Sequence, residues 1–445
     1  MERPRSSAIS QLKVRASYGS LGNARGLGNY QYKQTLSVST SSYILDGLKQ
    51  RYLSSPAALP EDLTWETATT YNGGIDFGFL NGRLSGSADY YVRRTTDMIV
   101  AGPTVPDVFG AASPKGNYAD LSTYGFEVTL GWKDSFDLGG KPFNYNIRAS
   151  LSDYYSIIDK YNNEQKTLNN NANQSLAGNY YEGMRIGELW GFVSNGLWQD
   201  QAAIDAAEAG AKAAGQSYFN PLIRATKDYK TRLGDTKYED LNGNGYIDRG
   251  KNRVGDSGDR KIIGNEEPRF MYSLNLGFDW NNIWFTAFFQ GVGKQDWYPS
   301  NEASMMWGQY NRPYGYLPKW HIGNYWTEDN TDAYLPRYSG YNDTFYKGTW
   351  AANTRYLQNV AYIRLKNIQL GYNLPKSWTR KVGLEQVGIY FSGENLWTWS
   401  PLYKLTKDIN VSNIGTSDVD FNSGRGDAYN YPMMSTVSLG LNITF

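Results

Sequence analysis

The chain contains no cysteine and a single histidine, His321. That excludes a disulfide scaffold, thiolate catalysis, Cys-bound zinc and any site that needs two imidazoles. An excess of one charge is missing too: 44 Lys+Arg stand against 43 Asp+Glu, a formal net charge of +1. Bulk charge therefore gives no hold on nucleic acid. No stretch approaches the ~18 apolar residues of a transmembrane helix, and the opening MERPRSSAIS has no apolar signal-peptide core. Neither a Pro/Ser-rich linker nor a break in composition divides the chain, so residues 1–445 are expected to form one continuous architecture. Carboxylates are scattered, and sequence places no two at a glycosidase separation; no catalytic residue is assigned and the chain is not read as an enzyme. Metal binding is left to oxygen donors.

What is abundant is glycine (47), tyrosine (37), phenylalanine (17) and tryptophan (14), a composition that favours β-structure. Alternation at period two recurs along the chain. Leu12, Val14, Ala16 and Tyr18 share one face of a first run, and Tyr71, Ile75, Phe77 and Phe79 one face of a second. Asn81-Gly82 then turns the chain into Leu84, Gly86, Ala88, Tyr90 and Val92, a strong hairpin signal. Phe126, Val128, Leu130 and Trp132 oppose Gly125, Glu127, Thr129 and Gly131; Phe143 to Leu151 alternate likewise. Further runs cover 270–280, 283–289 after Asn281-Asn282, 361–374, 387–391 and 437–445. In 361–374 the apolar face switches near Asn367, which predicts a bulge.

A soluble antiparallel sheet would also alternate. Two features favour a membrane barrel: many runs match the nine to eleven residues that cross a bilayer at a tilt, and connections alternate between short and long. Residues 82–83, 133–142, 281–282 and 375–386 are short; 22–62, 101–120, 161–267, 292–355 and 400–431 are long. Strand direction must reverse at every turn, so the apolar segment Ile186 to Leu197 belongs inside a large outer loop, 161–267, with a helix at Asp200 to Gly215. The fold class is then all-β: a transmembrane antiparallel barrel, about ten of its strands present, with long extracellular loops. Phe126, Val128 and Leu130 should face lipid, and Gly125, Glu127 and Thr129 the lumen.

The segments WETATTYNGGIDFGFLNGRLSGSADYY (Trp65 to Tyr91), YGFEVTLGW (Tyr124 to Trp132), GDTKYEDLNGNGYID (Gly234 to Asp248), YIRLKNIQLGYNLP (Tyr362 to Pro375) and the terminal VSLGLNITF, in that order, resemble the C-terminal half of SusC/RagA transporters. These are TonB-linked proteins of the bacterial outer membrane. The resemblance runs from about Leu12 to Phe445. It implies a plugged barrel of about 22 strands that imports oligosaccharides or peptides beneath a SusD-like surface lipoprotein, driven by the TonB complex. A plug domain, a TonB box and the earlier strands are not in this sequence, so ten strands are expected to form an open sheet with two unpaired edges. The alternative is a soluble extracellular β-protein that binds glycans through loop aromatics.

Asp240-Leu241-Asn242-Gly243-Asn244-Gly245-Tyr246-Ile247-Asp248 places oxygen side chains and a glycine as the first part of an EF-hand-type calcium loop does. Asp240, Asn242, Asn244 and Asp248 would offer side-chain oxygens, and Tyr246 its carbonyl. The twelfth position is Lys251, which cannot ligate; Asp259-Arg260 supplies an acid after an apparent insertion. A metal-free loop held by Asx turns is the competing reading. Trp190, Trp307, Tyr310, Trp320, Trp326 and Tyr346 fall in or beside outer loops, where they could stack on cargo or pack against a lid, or simply pack the loops.

Overall fold

The structure, a computed structural model, describes residues 9–24, 36–53, 63–103, 106, 108, 113–168, 179–220, 230–299, 303–310, 313–339, 351–414 and 433–445. Ten strands form one sheet in which sequence neighbours are also spatial neighbours: β1 (Ile9–Asn23), β2 (Glu66–Phe79), β3 (Leu84–Ala101), β4 (Lys115–Leu138), β5 (Lys141–Lys160), β6 (Arg269–Trp280), β7 (Ile283–Lys294), β8 (Tyr362–Asn373), β9 (Gln386–Trp399) and β10 (Thr436–Thr444). Every pairing is antiparallel, and among the described residues β1 and β10 each pair on one side only. The expected ten strands, with an open edge at each end, are what the chain builds.

The tight turns are made where left-handed backbone is available. Asn281 and Asn282 (φ 49° and 68°) join Trp280 to its partner Ile283, and Gly139 and Gly140 (φ 64° and 77°) join Leu138 to Lys141. Two consecutive residues at positive φ match the strand twist, as hairpins require. The second turn corrects the expected short connection at 133–142: both strands run on to the glycine pair. The crossing strands are also longer than anticipated, because β4 has 24 residues and β5 has 20. At ~3.3 Å per residue β4 is about 80 Å long, far more than a bilayer needs, so its upper part stands in the extracellular space. The bulge falls at Lys366: Leu365 faces Phe289 while Asn367 faces Phe288, and the register against β9 shifts at the same place.

Register turns the alternation into rungs across nine strands. Lys13, Asp76, Ser87, Thr129, Ser150, Ser273, Gln290, Arg364 and Thr398 are successive partners, polar throughout. The rungs on either side are apolar: Leu12, Phe77, Gly86, Leu130, Ala149, Leu274, Phe289, Leu365, Trp397, and Val14, Ile75, Ala88, Val128, Leu151, Tyr272, Gly291, Ile363, Trp399. The apolar face is not packed beneath a second layer: Val14 is 77% exposed and Leu439 82%. A soluble sheet would bury such a face. Here it faces lipid and the polar face lines the lumen.

Aromatic rungs bound the apolar band. Near the long connections Tyr18, Tyr71, Val92, Tyr124 and Tyr155 form one rung; near the tight turns Phe136, Phe143, Trp280, Ile283 and Tyr372 form another. Rings meet within each, Tyr124 and Tyr155 at 5.4 Å and Phe136 and Phe143 at 5.0 Å between centroids. On β4 and β5 the two rungs lie twelve residues apart, 124 to 136 and 143 to 155. That is about 40 Å along the strand, or about 30 Å of depth at the usual 35–45° tilt, the thickness of a hydrocarbon core.

The molecule's buried hydrophobic residues lie mainly in the long connections. Within 161–267, strand Glu188–Phe192 pairs with Arg260–Asn265, Ser194–Leu197 pairs with Thr236–Tyr238, and helix Gln201–Ala213 is capped by the Asp200 side chain. The inner-loop placement of Ile186 to Leu197 and the helix are thus as expected. The connection from β1 to β2 carries a separate hairpin, Val38–Leu45 with Leu48–Leu53.

Candidate functional site

Two regions combine fixed polar chemistry with a defined position: the luminal wall and the extracellular cap. On the wall, Arg15 of β1 holds Asp76 of β2 and Asp89 of β3 through paired hydrogen bonds of 2.8–2.9 Å. One guanidinium across two carboxylates leaves a net charge of −1. At the far side, Arg364 of β8 is buried and donates to Thr398 Oγ1 (2.8 Å), Ser412 Oγ (2.9 Å) and Asn410 Oδ1 (2.9 Å). It fastens the connection after β9 to the wall.

The cap is a folded body rather than a set of separate loops. Trp297, Met306, Trp307, Tyr310, Leu335, Tyr356 and Val360 share a core with Leu402, Ile409 and Val411 from the next connection. Phe192, Tyr238 and Ile247 of the 161–267 loop pack with Ala351. Asn353, fully buried, joins them: its amide donates to Tyr298 Oη (3.0 Å) and the Ala351 carbonyl (2.8 Å), and its oxygen accepts from the backbone N–H of Arg355 and Tyr356. His321 is also buried; its Nε2 hydrogen-bonds the Met306 carbonyl at 2.8 Å, and burial pushes its pKa down to about 4. The imidazole is neutral at pH 7, and the lone histidine packs a core.

Sequence placed six aromatics at a candidate surface, and the structure separates them. Trp307 and Tyr310 are fully buried, and Tyr310 donates its hydroxyl to the Pro336 carbonyl at 2.7 Å. Trp320 is 9% exposed. These three belong to the core of the cap itself, with twelve other buried residues from two connections, so they pack the loops and are not placed to stack on cargo or on a lid. Trp190 packs, half-buried, on the cluster of Ile158, Leu168, Tyr181 and Met184. Trp326 is partly exposed and donates to Gln199 Oε1 at 3.0 Å, tying two connections together. Tyr346 lies outside the described residues.

The carboxylate loop closes on itself. Asp240 accepts from the N–H groups of Gly243 (2.7 Å), Asn244 (3.2 Å) and Gly245 (2.7 Å), Asn242 Oδ1 accepts from Asn244, and Asn244 Nδ2 donates to Asp248 at 2.5 Å. Asn244 Oδ1 accepts from the Tyr246 N–H. Asp259 returns to the loop across the insertion: it is fully buried and accepts from Leu241, Asn242 and Asp248 N–H. Burial raises its pKa against those hydrogen bonds. Burial also lowers Arg260, to about 10, while Asp248 opposes that shift. Among the described residues no three His, Asp or Glu side chains converge as a metal-holding group. The sequence identified the loop; it gave no sign of Arg364 or the Arg15 fork, whose partners lie 34 to 74 residues away, or of Asn353, which reaches Tyr298 across 55 residues.

A family profile described as "TonB dependent receptor-like, beta-barrel" matches residues 4–246. The chain is 26% identical to TonB-dependent receptor P26 of Formosa agariphila over 98% of its own length and 40% of that protein. It is 24% identical to TonB-dependent receptor SusC of Bacteroides thetaiotaomicron over 98% of its length and 38% of that protein. The solved structure of the RagAB peptide transporter is similar in fold, with a TM-score of 0.63 at 20% identity over 99% of this chain and 42% of that one. The chain thus spans about 40% of the length of these curated relatives. Its lipid-facing rungs, its tight turns at one end and its long connections at the other agree with the match: the chain belongs to the TonB-dependent receptor β-barrel family of the bacterial outer membrane.

Proposed function

We propose that this chain forms part of the wall and the extracellular cap of a nutrient transporter that imports oligosaccharides or peptides beneath a SusD-like surface lipoprotein. One observation carries the reading. The long connections emerge at one end of a lipid-facing sheet, and two of them fold into a cap with its own core. Connections that only join strands need no such core. The name of the RagAB peptide transporter supports the peptide class, and the oligosaccharide class and the lipoprotein lid follow from the resemblance to SusC/RagA transporters. Coupling to the TonB complex would run through an N-terminal region of the complete protein. The test is co-purification of the complete transporter with its neighbouring lipoprotein, before and after deletion of 199–230, together with uptake of labelled oligosaccharide and peptide. Partner capture that survives loss of each long connection in turn removes the rim assignment. A soluble glycan-binding protein is the weaker reading, because it leaves the exposed apolar face without a solvent.

Calcium at the Asp240–Asp248 loop is a second proposal, favoured by the return of Asp259 to the loop across an eleven-residue separation from Asp248. Asp240, Asn242, Asn244, Asp248 and Asp259 would hold the ion with the Tyr246 carbonyl, using oxygen lone pairs beyond those that accept backbone N–H groups. Calorimetric titration should then give heat that an Asp240→Ala variant abolishes. A flat titration would leave the loop as an Asx-turn structure held by its own side chains.

A further inference from the structure

The lipid-facing surface changes character in a single step above the tyrosine rung. Two residues farther toward the cap on each strand, Ser20, Thr69, Arg94, Ser122 and Ile157 are successive partners, and Arg185 bridges to Ile157. Because alternate residues share a face, this rung points outward as the tyrosines do. It stands about 7 Å farther along the strands, at the level where hydrocarbon gives way to headgroups.

Among the described residues neither of its two cations has an ion-pair partner. Arg94 is exposed and has no hydrogen bond or ion pair among the described residues. Arg185 is half-buried over the Tyr155 ring, 4.7 Å from its centroid, and its Nη2, covered by neighbouring atoms, has no hydrogen-bond partner. Of the neighbouring charges, one pair is mutually compensated and one carboxylate is hydrogen-bonded. Arg269 is paired with Asp153, which also accepts from the Phe270 N–H, and Asp159 accepts from the Ser122 hydroxyl. Arg94 and Arg185 are three strand spacings apart, about 14 Å. Hydroxyls line the same level: Ser20 and Thr69 are hydrogen-bonded to each other at 3.0 Å beside Arg94.

We propose that Arg94 and Arg185, with Ser20 and Thr69, form a binding strip on the outside of the barrel for phosphate-bearing lipid of the outer leaflet. The guanidinium fork matches phosphate oxygens in a way an ammonium does not. The tyrosines one step below present apolar bodies to the acyl chains. This assignment rests on the membrane-facing sheet and is independent of any cargo or lid.

The test uses the complete barrel containing this chain, purified and placed in bilayers of phosphatidylcholine with a minor share of phosphatidylglycerol. Retained lipid is then counted by native mass spectrometry. A basic residue near a charged surface contributes roughly fivefold in affinity. Arg94→Gln should therefore lower phosphatidylglycerol retention about fivefold, and the double Arg94→Gln/Arg185→Gln variant further, with phosphatidylcholine unchanged. Arg148→Gln removes the same charge from the exposed luminal face and should alter neither. Equal retention by wild type and Arg94→Gln overturns the proposal, as does equal loss in Arg148→Gln. Inorganic phosphate forms the last arm: if it displaces the lipid completely at matched concentration, the strip binds the ion and the lipid assignment fails. Arg94 has no bond among the described residues whose loss would compromise folding, so the single variant decides the matter even if the double variant does not fold.

Discussion

Leu130 is the position at which the membrane reading makes its largest demand. It lies six residues from Tyr124 and six from Phe136, at mid-depth between the aromatic rungs, on the outward face and 45% exposed. Arginine introduced at the midplane of an outer-membrane barrel costs about 2–4 kcal/mol, equivalent to about 30- to 900-fold in the folding equilibrium at 1.36 kcal/mol per decade. Thr129, the adjacent residue, faces the lumen; its hydroxyl lies 3.2 Å from Ser150 Oγ. Arginine there forfeits at most that one contact, about 1 kcal/mol, and its charge stays in water. Urea titration of the complete barrel in lipid vesicles, followed by tryptophan fluorescence and by heat-modifiable migration on gels, gives both values. Leu130→Arg should be destabilised by at least about 2 kcal/mol and Thr129→Arg by about 1 or less. Equal costs, or a larger cost at Thr129, would reverse the assignment of the faces and with it the membrane reading of the sheet.

Asp153→Ala should leave Arg269 without its carboxylate just inside the outer tyrosine rung and cost about 3–5 kcal/mol in the same titration; a loss below about 1 kcal/mol would mean that solvent already screens the pair. Asn353→Ala removes the buried amide shared by the cap segments and should cost the cap about 2–3 kcal/mol, seen as lost hydrogen-exchange protection at residues 351–360 with the sheet unchanged. The His321 imidazole, held near pKa 4 against about 6.5 unfolded, contributes stability that is full above pH ~6.5 and falls away as the pH drops toward 4, by about 3 kcal/mol in total. Cap protection in wild type should therefore decline relative to His321→Gln across that range, and a constant difference between the two would show that the imidazole does not titrate there. Calorimetry with calcium, compared with Asp240→Ala, checks the acidic loop as described above.

The sheet was legible because its information is local. Alternation at Leu12 to Tyr18 or Phe126 to Leu130 reports a face with two-residue spacing, and Asn281-Asn282 carries its own left-handed backbone preference. The face switch at Asn367 likewise marks a bulge within a few residues of itself. Strand ends were less visible: charged and polar residues such as Lys133 to Ser135 continue a strand as readily as they end one when the strand stands in water, so the turn at Gly139-Gly140 was placed only broadly. The cap required the tertiary structure. Thr236 meets Tyr356 across 120 residues, and Trp326 meets Gln199 across 127. A run of loop aromatics looks the same in sequence whether it faces solvent or a core, and packing in the cap against Tyr298, Tyr356 and Tyr338 hides Trp307 and Tyr310. Register decided the rest. Arg94 and Arg185 occur in unrelated stretches of sequence, and they share one level above the tyrosines because the hydrogen-bond ladder through Ser122 and Ile157 places them there.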